Sequence, residues 1–205
     1  MILGLYYDTE TTGLPLFREP SDDPRQPHIV ELAATLVDMD SRRVVAAMHS
    51  IVKPSDWEIP QEVSDIHGIT QEFASAAGDV EPNVLVQFFN LWHRASVRIA
   101  HNEQFDARII RIASKRFIPD MADPWKEGAA ECTARMATPI CALPPTEKMR
   151  AAKRFHHKTP NLGEAHRILC GEDFDGAHSA QADVNACIRV HWAIKDLDAK
   201  VAANA

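Results

Sequence analysis

The sequence MILGLYYDTETTG at residues 1–13 decides the fold expected for this chain. Its apolar run from Ile2 to Tyr7 predicts a buried strand that leads directly into Asp8 and Glu10. Because side chains alternate along a strand, the two carboxylates project from the same face. Neighbouring carboxylates repel each other, so both stay ionised readily only when a cation lies between them. Hard divalent cations such as Mg²⁺ prefer oxygen ligands, and this strand end is therefore interpreted as half of a metal site.

The Asp-x-Glu pattern also has a simpler interpretation, because an acid at the end of a strand often forms a turn or caps a helix. The surrounding residues favour the metal interpretation. Thr9, Thr11 and Thr12 supply hydroxyl groups, and Gly13 lets the backbone turn sharply and approach a ligand closely. Taken alone, the pair leaves both interpretations open.

Length and composition are those of an ordinary globular domain. The chain has 205 residues, of which 45% are hydrophobic and 25% are charged, and we expect one domain at residues 1–200 followed by a short tail at 201–205. No run approaches the ~20 apolar residues that a membrane span requires, and no basic segment introduces a signal peptide. The four cysteines form no C-x-x-C pair, so free thiols in the cytoplasm and no membrane association are expected.

The formal net charge of −7 argues against a protein that coats long nucleic acid by electrostatics alone. It is compatible with an enzyme that holds a few nucleotides at a metal centre, since bound cations reverse the local charge. Positive charge is concentrated in residues 148–158, which contain five Lys or Arg residues and two histidines. This basic segment is either a solvated loop or a phosphate-binding loop.

The pattern along the chain predicts strands first and then an alternation of helices and strands. The predicted strands cover residues 2–8, 29–38, 42–52, 96–100 and 131–133. The predicted helices cover residues 61–66, 71–77, 82–93, 103–117, 161–170 and 179–198, with loops at 15–27 and 143–160. The inward-facing side chains predicted for helix 103–117 are Phe105, Ile109, Ile112, Ala113 and Phe117. This order is typical of an α/β fold with a mixed sheet.

A second acidic cluster lies in IAHNEQFDARII, residues 99–110, where Asp106 falls in the first turn of a helix that follows a buried strand. Ligands bind at the carboxyl ends of strands in open α/β sheets. The simpler alternative is that Asp106 only stabilises the N-terminus of its helix.

The third cluster lies in AHSAQADVNACIRVHW, residues 177–192, where His178 and Asp183 are five positions apart. That spacing is about 500° on a helix, so the two do not share a helical face. They converge only if His178 lies just ahead of the helix and Asp183 lies in its first turns, which Gly176 favours. A histidine beside a metal can accept a proton near neutral pH, although a lone histidine before a helix is more often a cap or a surface residue.

Together, DTETTG (8–13), HNEQFD (101–106) and AHSAQAD (177–183) resemble the three motifs of the DEDDh, or DnaQ-like, family of 3′→5′ exonucleases. The histidine of the third motif distinguishes this branch from a sister branch that has tyrosine. IPQEVSDIHGIT (59–70) and PNLGEAHRIL (160–169) are similar to the family's connecting elements, so the resemblance covers about residues 1–197. It implies a ribonuclease H-like fold, in which helices flank a mixed five-stranded sheet.

The resemblance also implies two divalent ions, Mg²⁺ or Mn²⁺, as cofactors. Asp8, Glu10 and Asp183 would hold the first ion, with Asp8 bridging to the second. Asp106 would assist the second ion through water. His178 would deprotonate the attacking water, and the product would be a nucleoside 5′-monophosphate.

Substrate contacts are implied at a nucleic-acid 3′ end. The backbone around Thr11 would meet the terminal 3′-hydroxyl, and Leu14 would wedge against the terminal bases. The other side chains implied in substrate binding are Thr9, His67, Asn102 and Phe105. A single-stranded or frayed DNA 3′ end is the expected substrate, since single strands offer exposed base faces for stacking.

Within the family, the chain is similar to the proofreading epsilon subunits of bacterial DNA polymerase III. Its loop at 16–28 is longer, and only five residues follow Lys200, without the extension that joins such a subunit to its polymerase. The long loop resembles stand-alone bacteriophage exonucleases, so we expect a free-standing enzyme of the bacterial cytoplasm, with a bacteriophage gene as one source. An RNA 3′-end trimmer or oligoribonuclease and a non-catalytic nucleic-acid-binding module remain alternatives, and the oligomeric state stays open.

Overall fold

The computed structural model describes residues 2–203, and Met1, Asn204 and Ala205 lie outside the described residues. Its sheet has the strand order β3-β2-β1-β4-β5. The strands are β1 (Leu3–Thr11), β2 (Ile29–Asp38), β3 (Val44–Ile51), β4 (Val97–Ala100) and β5 (Ala130–Cys132). The pairs β1–β2 and β2–β3 are antiparallel, whereas β1–β4 and β4–β5 are parallel. The predicted α/β fold with a mixed five-stranded sheet is confirmed.

Helices pack around this sheet throughout the described part of the chain. They are α1 (Gln61–His67), α2 (Gln71–Ala77), α3 (Glu81–Trp92), α4 (Gln104–Phe117), α5 (Ala122–Glu127), α6 (Thr133–Cys141), α7 (Glu147–Ala151), α8 (Leu162–Cys170) and α9 (Ala180–Ala203). A short 3₁₀-helix at Pro119–Met121 precedes α5. Among residues 2–203, no helix combines the length and the apolar composition that a bilayer crossing demands.

The alternation of side chains along β1 divides the core into two halves. Tyr7 packs against Phe88 and Trp125, with ring centroids 5.6 and 5.4 Å away, in the half covered by α3, α4 and α5. Tyr6 points to the other face, where it packs with Val184 of α9. Because the period is two, Asp8 and Glu10 follow Tyr6 towards α9, and Thr9 follows Tyr7 towards α4. The strand thus aims acidic side chains at one helix and a hydroxyl at another.

Several predicted boundaries changed. Strand β1 continues three residues beyond Asp8, because Thr9 to Thr11 still pair with β2. Helices α5 and α6 were not predicted, and α7 lies within residues 143–160, which were expected to be largely loop. Prolines explain these errors: a proline reads as a helix breaker, yet Pro124 lies in the first turn of α5, where a missing N–H is tolerated.

Two further expectations concern helix ends. Phe117 was predicted to face inward, which is wrong, because it is the last residue of α4 and is 38% exposed. Helix α9 was predicted to end at Asp198 but continues to Ala203, so residues 201–203 of the predicted tail are helical. The rest of that predicted tail lies outside the described residues.

Candidate active site

The first and third acidic motifs meet where β1 ends and α9 begins. Asp8 and Glu10 share the α9 face of β1, and Asp183 lies in the first turn of α9. One potential ligand atom from each of Glu10, His178 and Asp183 lies within 4.8 Å of the other two. The structure therefore brings together two oxygen donors and an imidazole from opposite ends of the chain.

His178 satisfies the geometric condition that the sequence imposed. It lies two residues before α9 in a left-handed conformation, with φ of 68°, and Gly176 has φ of 77°. The Ser179 N–H donates to the Gly176 carbonyl at 3.1 Å, which closes the turn. The His178 backbone N–H then donates to Oδ2 of Asp183 at 3.3 Å. This turn folds an exposed imidazole back over the first turn of the helix.

Asp106 reaches the same region from the opposite face of β1. It is buried in the first turn of α4, and its Oδ1 accepts hydrogen bonds from both the backbone N–H and the hydroxyl of Thr9, at 3.0 and 2.7 Å. These two bonds fix the carboxylate. Thr9 was predicted to contact substrate, but its side chain is buried and its hydroxyl donates to Asp106. The substrate contact of Thr9 stays a prediction, and in the structure its hydroxyl holds the carboxylate of Asp106 in place.

Burial, together with repulsion from neighbouring carboxylates, raises the pKa values of all four predicted metal-binding carboxyl groups. Burial is the largest cause at Asp8, whose pKa lies well above its ordinary value, and Asp106 and Asp183 add to it. Burial followed by repulsion from Asp183 raises the pKa of Glu10 to about 8. Burial raises the pKa of Asp106 to about 7 against the opposing hydrogen bonds from Thr9, and that of Asp183 to about 6. Ionised together, these groups are unfavourable without a counter-charge.

The donor set fits a divalent cation. Oδ1 of Asp183 is buried and has no hydrogen-bond partner among the described residues, which is uncommon for a carboxylate oxygen and would be accounted for by a bound cation. Carboxylate oxygens are the ligands that Mg²⁺ and Mn²⁺ favour. The residues present are therefore chemically suited to the predicted ions.

Glu31 belongs to the site and was missed by the sequence analysis. It lies on β2 directly opposite Glu10, is buried, and its Oε2 accepts the Ala180 N–H at 2.9 Å. Its Oε1 contacts Nε2 of His49 at 2.5 Å. The carboxylate thereby anchors the start of α9, two residues from His178. The signal in the sequence was an acid inside the otherwise apolar run IVELAATLV.

Three predicted substrate residues line one cavity beside the carboxylates. Glu10, Thr11, Leu14 and His67 border a space of about 330 Å³, and Leu14 is 77% exposed at its edge. The Thr11 hydroxyl donates to the Gly13 carbonyl at 2.8 Å, which shapes the turn that presents Leu14. Burial lowers the pKa of His67, so its imidazole is neutral near neutral pH. Residues of the first motif and of the connecting element at 59–70 thus line the same cavity.

Asn102 and Phe105 lie at the start of α4, on the Asp106 side. Asn102 has φ of 66°, and its carbonyl accepts the Phe105 N–H at 2.8 Å. The Asn102 side chain is exposed, and Phe105 is half-buried against the core. Neither residue lines the cavity at Leu14.

The basic segment approaches this side of the site as well. Nε2 of His101 lies 3.1 Å from the carbonyl of Pro160, which ties the chain two residues beyond the segment to the turn that leads into α4. Lys158 pairs with Glu164. Most of its other basic side chains are exposed, so both the solvated and the phosphate-binding interpretation stay open.

Sequence comparison places these motifs in a known family. The family model RNase_T, described as exonuclease, matches residues 5–191. The PolC-type DNA polymerase III of Thermotoga petrophila is 36% identical over 109 residues, which cover 53% of this chain and 7% of that protein. The protein of the same name from Thermotoga maritima gives the same identity and coverage. The chain thus matches only a small part of these polymerases.

Solved structures share the fold. The E. coli exonuclease I complex with a dT13 oligonucleotide has a TM-score of 0.73 and 19% identity, covering 100% of this chain and 43% of that chain. The zinc-bound form of the exonuclease I complex with single-stranded DNA has a TM-score of 0.69 and 19% identity, covering 96% and 41%. Since the family model spans most of the described residues and all three motifs, the chain belongs to the RNase_T exonuclease family, as its DEDDh resemblance predicted.

Proposed function

We propose that this protein is a metal-dependent 3′→5′ exonuclease that releases nucleoside 5′-monophosphates from single-stranded or frayed DNA 3′ ends. The observation that carries the proposal is the convergence of Glu10, His178 and Asp183 within 4.8 Å, in a chain of the exonuclease family. A protein that only bound nucleic acid would gain nothing from a histidine whose backbone is held in a left-handed conformation beside carboxylates that repel each other.

Two divalent ions, Mg²⁺ or Mn²⁺, are proposed as cofactors. Asp8, Glu10 and Asp183 would hold one ion, and Asp106 would assist the other together with Asp8. Bound ions would supply positive charge that stabilises the phosphate oxygens as they develop charge. The raised pKa values and the unpartnered Asp183 oxygen support this assignment.

His178 is proposed as the general base, which takes a proton from the attacking water onto an imidazole nitrogen. Its exposed ring is reachable by solvent, and its backbone is held by the turn and by Asp183. Thr9 keeps Asp106 in place from the other side of β1. The protein thus orients base and acidic side chains independently, each through its own hydrogen bond.

Leu14, Thr11 and His67 are proposed to receive the terminal nucleotide in the cavity that they line. Leu14 is exposed at the rim and can insert between bases, while the Thr11 backbone is within the wall. Asn102 and Phe105 are proposed to contact the substrate from the Asp106 side. DNA is favoured because the exonuclease I structures with the same fold contain DNA oligonucleotides.

Product analysis tests the proposal. End-labelled DNA and RNA oligonucleotides of matched sequence, single- and double-stranded, are incubated with and without Mg²⁺. We expect stepwise shortening from the 3′ end of DNA, release of nucleoside 5′-monophosphates, and no reaction after chelation. A 3′-phosphate should block digestion, and a 5′-phosphate should not. Cleavage of circular single-stranded DNA, release of 3′-monophosphates, or preference for RNA would contradict the proposal.

A further inference from the structure

A second cavity lies on the face of α4 opposite to Asp106. It has a volume of about 390 Å³ and is bordered by Phe17, Arg108, Arg111, Trp125 and Lys126. Two residues along a helix correspond to about 200°, so Arg108 projects away from the side that carries Asp106. We call this space the Phe17 cavity. None of its bordering residues takes part in the proposed chemistry.

The Phe17 cavity is positively charged and incompletely satisfied. Nε of Arg108 and Nε of Arg111 are buried without a hydrogen-bond partner among the described residues. Nη2 of Arg108 donates to the Glu19 carbonyl at 2.5 Å, and Arg111 lies 3.9 Å from Asp123, a long and exposed ion pair. Buried guanidinium N–H groups without an acceptor are unfavourable. An anionic ligand in the cavity would offset the charge of these two guanidinium groups.

Arg98 lines the same cavity, but its guanidinium group has hydrogen-bond partners within the protein. Its Nε donates to Glu103 at 2.7 Å, its Nη1 donates to the Gly128 carbonyl at 2.8 Å, and its plane stacks over Trp125 at 4.5 Å. Arg98 is therefore structural. Arg108 and Arg111 retain donors that the protein itself does not use.

Phe17 supplies an aromatic face beside these cations. It is 57% exposed although the loop that carries it is well anchored. The Gln26 side chain accepts the Leu16 N–H at 3.0 Å and donates to the Leu16 and Pro20 carbonyls at 3.1 and 2.8 Å. Arg116 also donates to the Gln26 carbonyl. An ordered loop therefore holds an aromatic ring towards solvent.

The Phe17 cavity is close to the proposed wedge residue. Phe17 is three residues from Leu14, which limits their Cα separation to about 11 Å. A strand whose 3′ end passes Leu14 can therefore reach Phe17 within a few nucleotides. Aromatic rings beside a basic groove are the general means of holding single strands without reading sequence.

We infer that the Phe17 cavity binds upstream nucleotides of the same strand whose 3′ end enters the active site. Phe17 stacks on a base, and Arg108 and Arg111 contact the phosphodiester backbone, with Lys126 adding charge. This inference rests on the proposed exonuclease function and adds a subsite for single-stranded nucleic acid. The same phosphate chemistry would suit a free mononucleotide, and the test separates the two sources.

The test compares Phe17→Ala and Arg111→Gln with the unmodified protein on a dinucleotide and on a long single-stranded oligonucleotide. Stacking contributes about 1–3 kcal/mol per base, so KM for the long substrate should rise roughly 5- to 150-fold in Phe17→Ala. The turnover number, and KM for the dinucleotide, should not change. Arg111→Gln should reduce the salt dependence of oligonucleotide binding by about 0.7 in the log–log slope. Arg43→Gln, an exposed change between β2 and β3, is the control and should alter none of these values.

Binding of a labelled oligonucleotide and of a mononucleotide is also measured by fluorescence anisotropy and calorimetry with the metal chelated. This arm reports on the Phe17 cavity even if no nucleic acid is digested, so failure of the proposed function is separate from failure of the subsite. Equal losses on dinucleotide and long substrate, or unchanged KM in both variants, would overturn the inference. A mononucleotide could instead bind more tightly than the oligonucleotide and lose this binding in Arg111→Gln. The ligand of the Phe17 cavity would then be a free nucleotide and not the strand, which would also overturn the inference.

Discussion

The carboxyl groups at the end of β1 lie where burial makes their ionised form unfavourable. Burial raises the pKa values of Asp8, Glu10 and Asp183; Asp183 adds to the rise at Asp8 and Glu10, and Glu31 on β2 adds to the rise at all three. A protein that only needed a stable sheet would be more stable with apolar or amide side chains there. Such local conflict with stability is expected at functional sites.

Replacing Asp8 by Asn keeps the size of the side chain and removes its charge. We expect the exonuclease rate to fall at least about 10²-fold, since metal ions contribute several kcal/mol to catalysis and each 1.36 kcal/mol is tenfold. The metal-free variant should melt at a higher temperature than the parent, because carboxylate repulsion is relieved. Single-turnover assays and thermal unfolding in chelator measure both effects. Asp40→Asn, at an exposed turn, is the control, and an active Asp8→Asn variant would refute the assignment.

His178→Ala separates the proposed base from the acidic side chains. General-base catalysis contributes roughly 10²–10⁴-fold, so the rate should fall within that range. Affinity for Mn²⁺ should change little in a calorimetric titration, because the carboxylates remain. His67→Ala, which removes a neutral imidazole from the cavity wall, should affect KM more than the turnover number. Loss of Mn²⁺ binding in His178→Ala with an unchanged rate in the loaded protein would reverse these roles.

At the scale of the element, the first turn of α9 decides whether the site is assembled. It contains Asp183, follows directly on the turn that holds His178, and is anchored by Glu31 through the Ala180 N–H at 2.9 Å. The helix is long, and its inner face packs on the sheet through Val184 and Cys187, while Val190 packs against α6 and α8. That packing fixes the helix axis, whereas the hydrogen bond to Glu31 positions its first residues.

Glu31→Ala should release the start of α9. It leaves a buried N–H without an acceptor, which costs about 1–3 kcal/mol in unfolding free energy. The turnover number should fall while KM stays within about twofold, because His178 and Asp183 lose their fixed position and the Leu14 cavity does not. Glu31→Gln retains an amide oxygen for the Ala180 N–H and should restore most of the turnover number. Denaturant unfolding and steady-state kinetics test the pair, and equal defects in both variants would indicate an electrostatic role instead.

The elements also show what local sequence can predict. Strand β2 and helix α2 lie at the predicted residues, and α8 begins after Asn161 with a complete capping box. Each is defined by neighbours in sequence: apolar periodicity, a cap and a turn residue. Helix α5 contains a proline in its first turn and α6 contains Pro139 in its interior, so interpreting each proline as the end of a helix failed at both.

At the scale of the whole molecule, stability and metal binding are linked through pH. The folded-state pKa of Glu10 is about 8, above the ordinary value of 4.5, so the folded protein binds a proton more tightly than the unfolded chain does. The contribution of Glu10 to the free energy of unfolding is therefore full at low pH and is lost as the pH rises through about 8. Half-buried His67 and His101 and buried His191, whose pKa values desolvation lowers, make the free energy of unfolding change with pH in the opposite direction.

A comparison with Glu10→Gln isolates the carboxyl group from the histidines. In chelator, the variant should match the parent near pH 4.5 and exceed its melting temperature increasingly up to about pH 8. Saturating Mg²⁺ should reduce or reverse the difference, because the cation stabilises the ionised form in the parent. Thermal unfolding across the pH series measures it. A difference that is constant with pH would contradict the raised pKa.

The sequence by itself determined which acidic residues belong to the candidate site and that Asp8 and Glu10 share one face of a strand. It also determined that His178 must lie ahead of a helix to approach Asp183. These follow from the periods of strand and helix and from covalent order, which neighbouring residues encode. Only the tertiary structure decided that Thr9 holds Asp106 from the other face of β1, that Glu31 anchors α9, and that Phe17 borders a basic cavity. These contacts join residues far apart in the chain, and they exist only once the parallel pairing of β1 with β4 and the docking of α9 have brought those segments together.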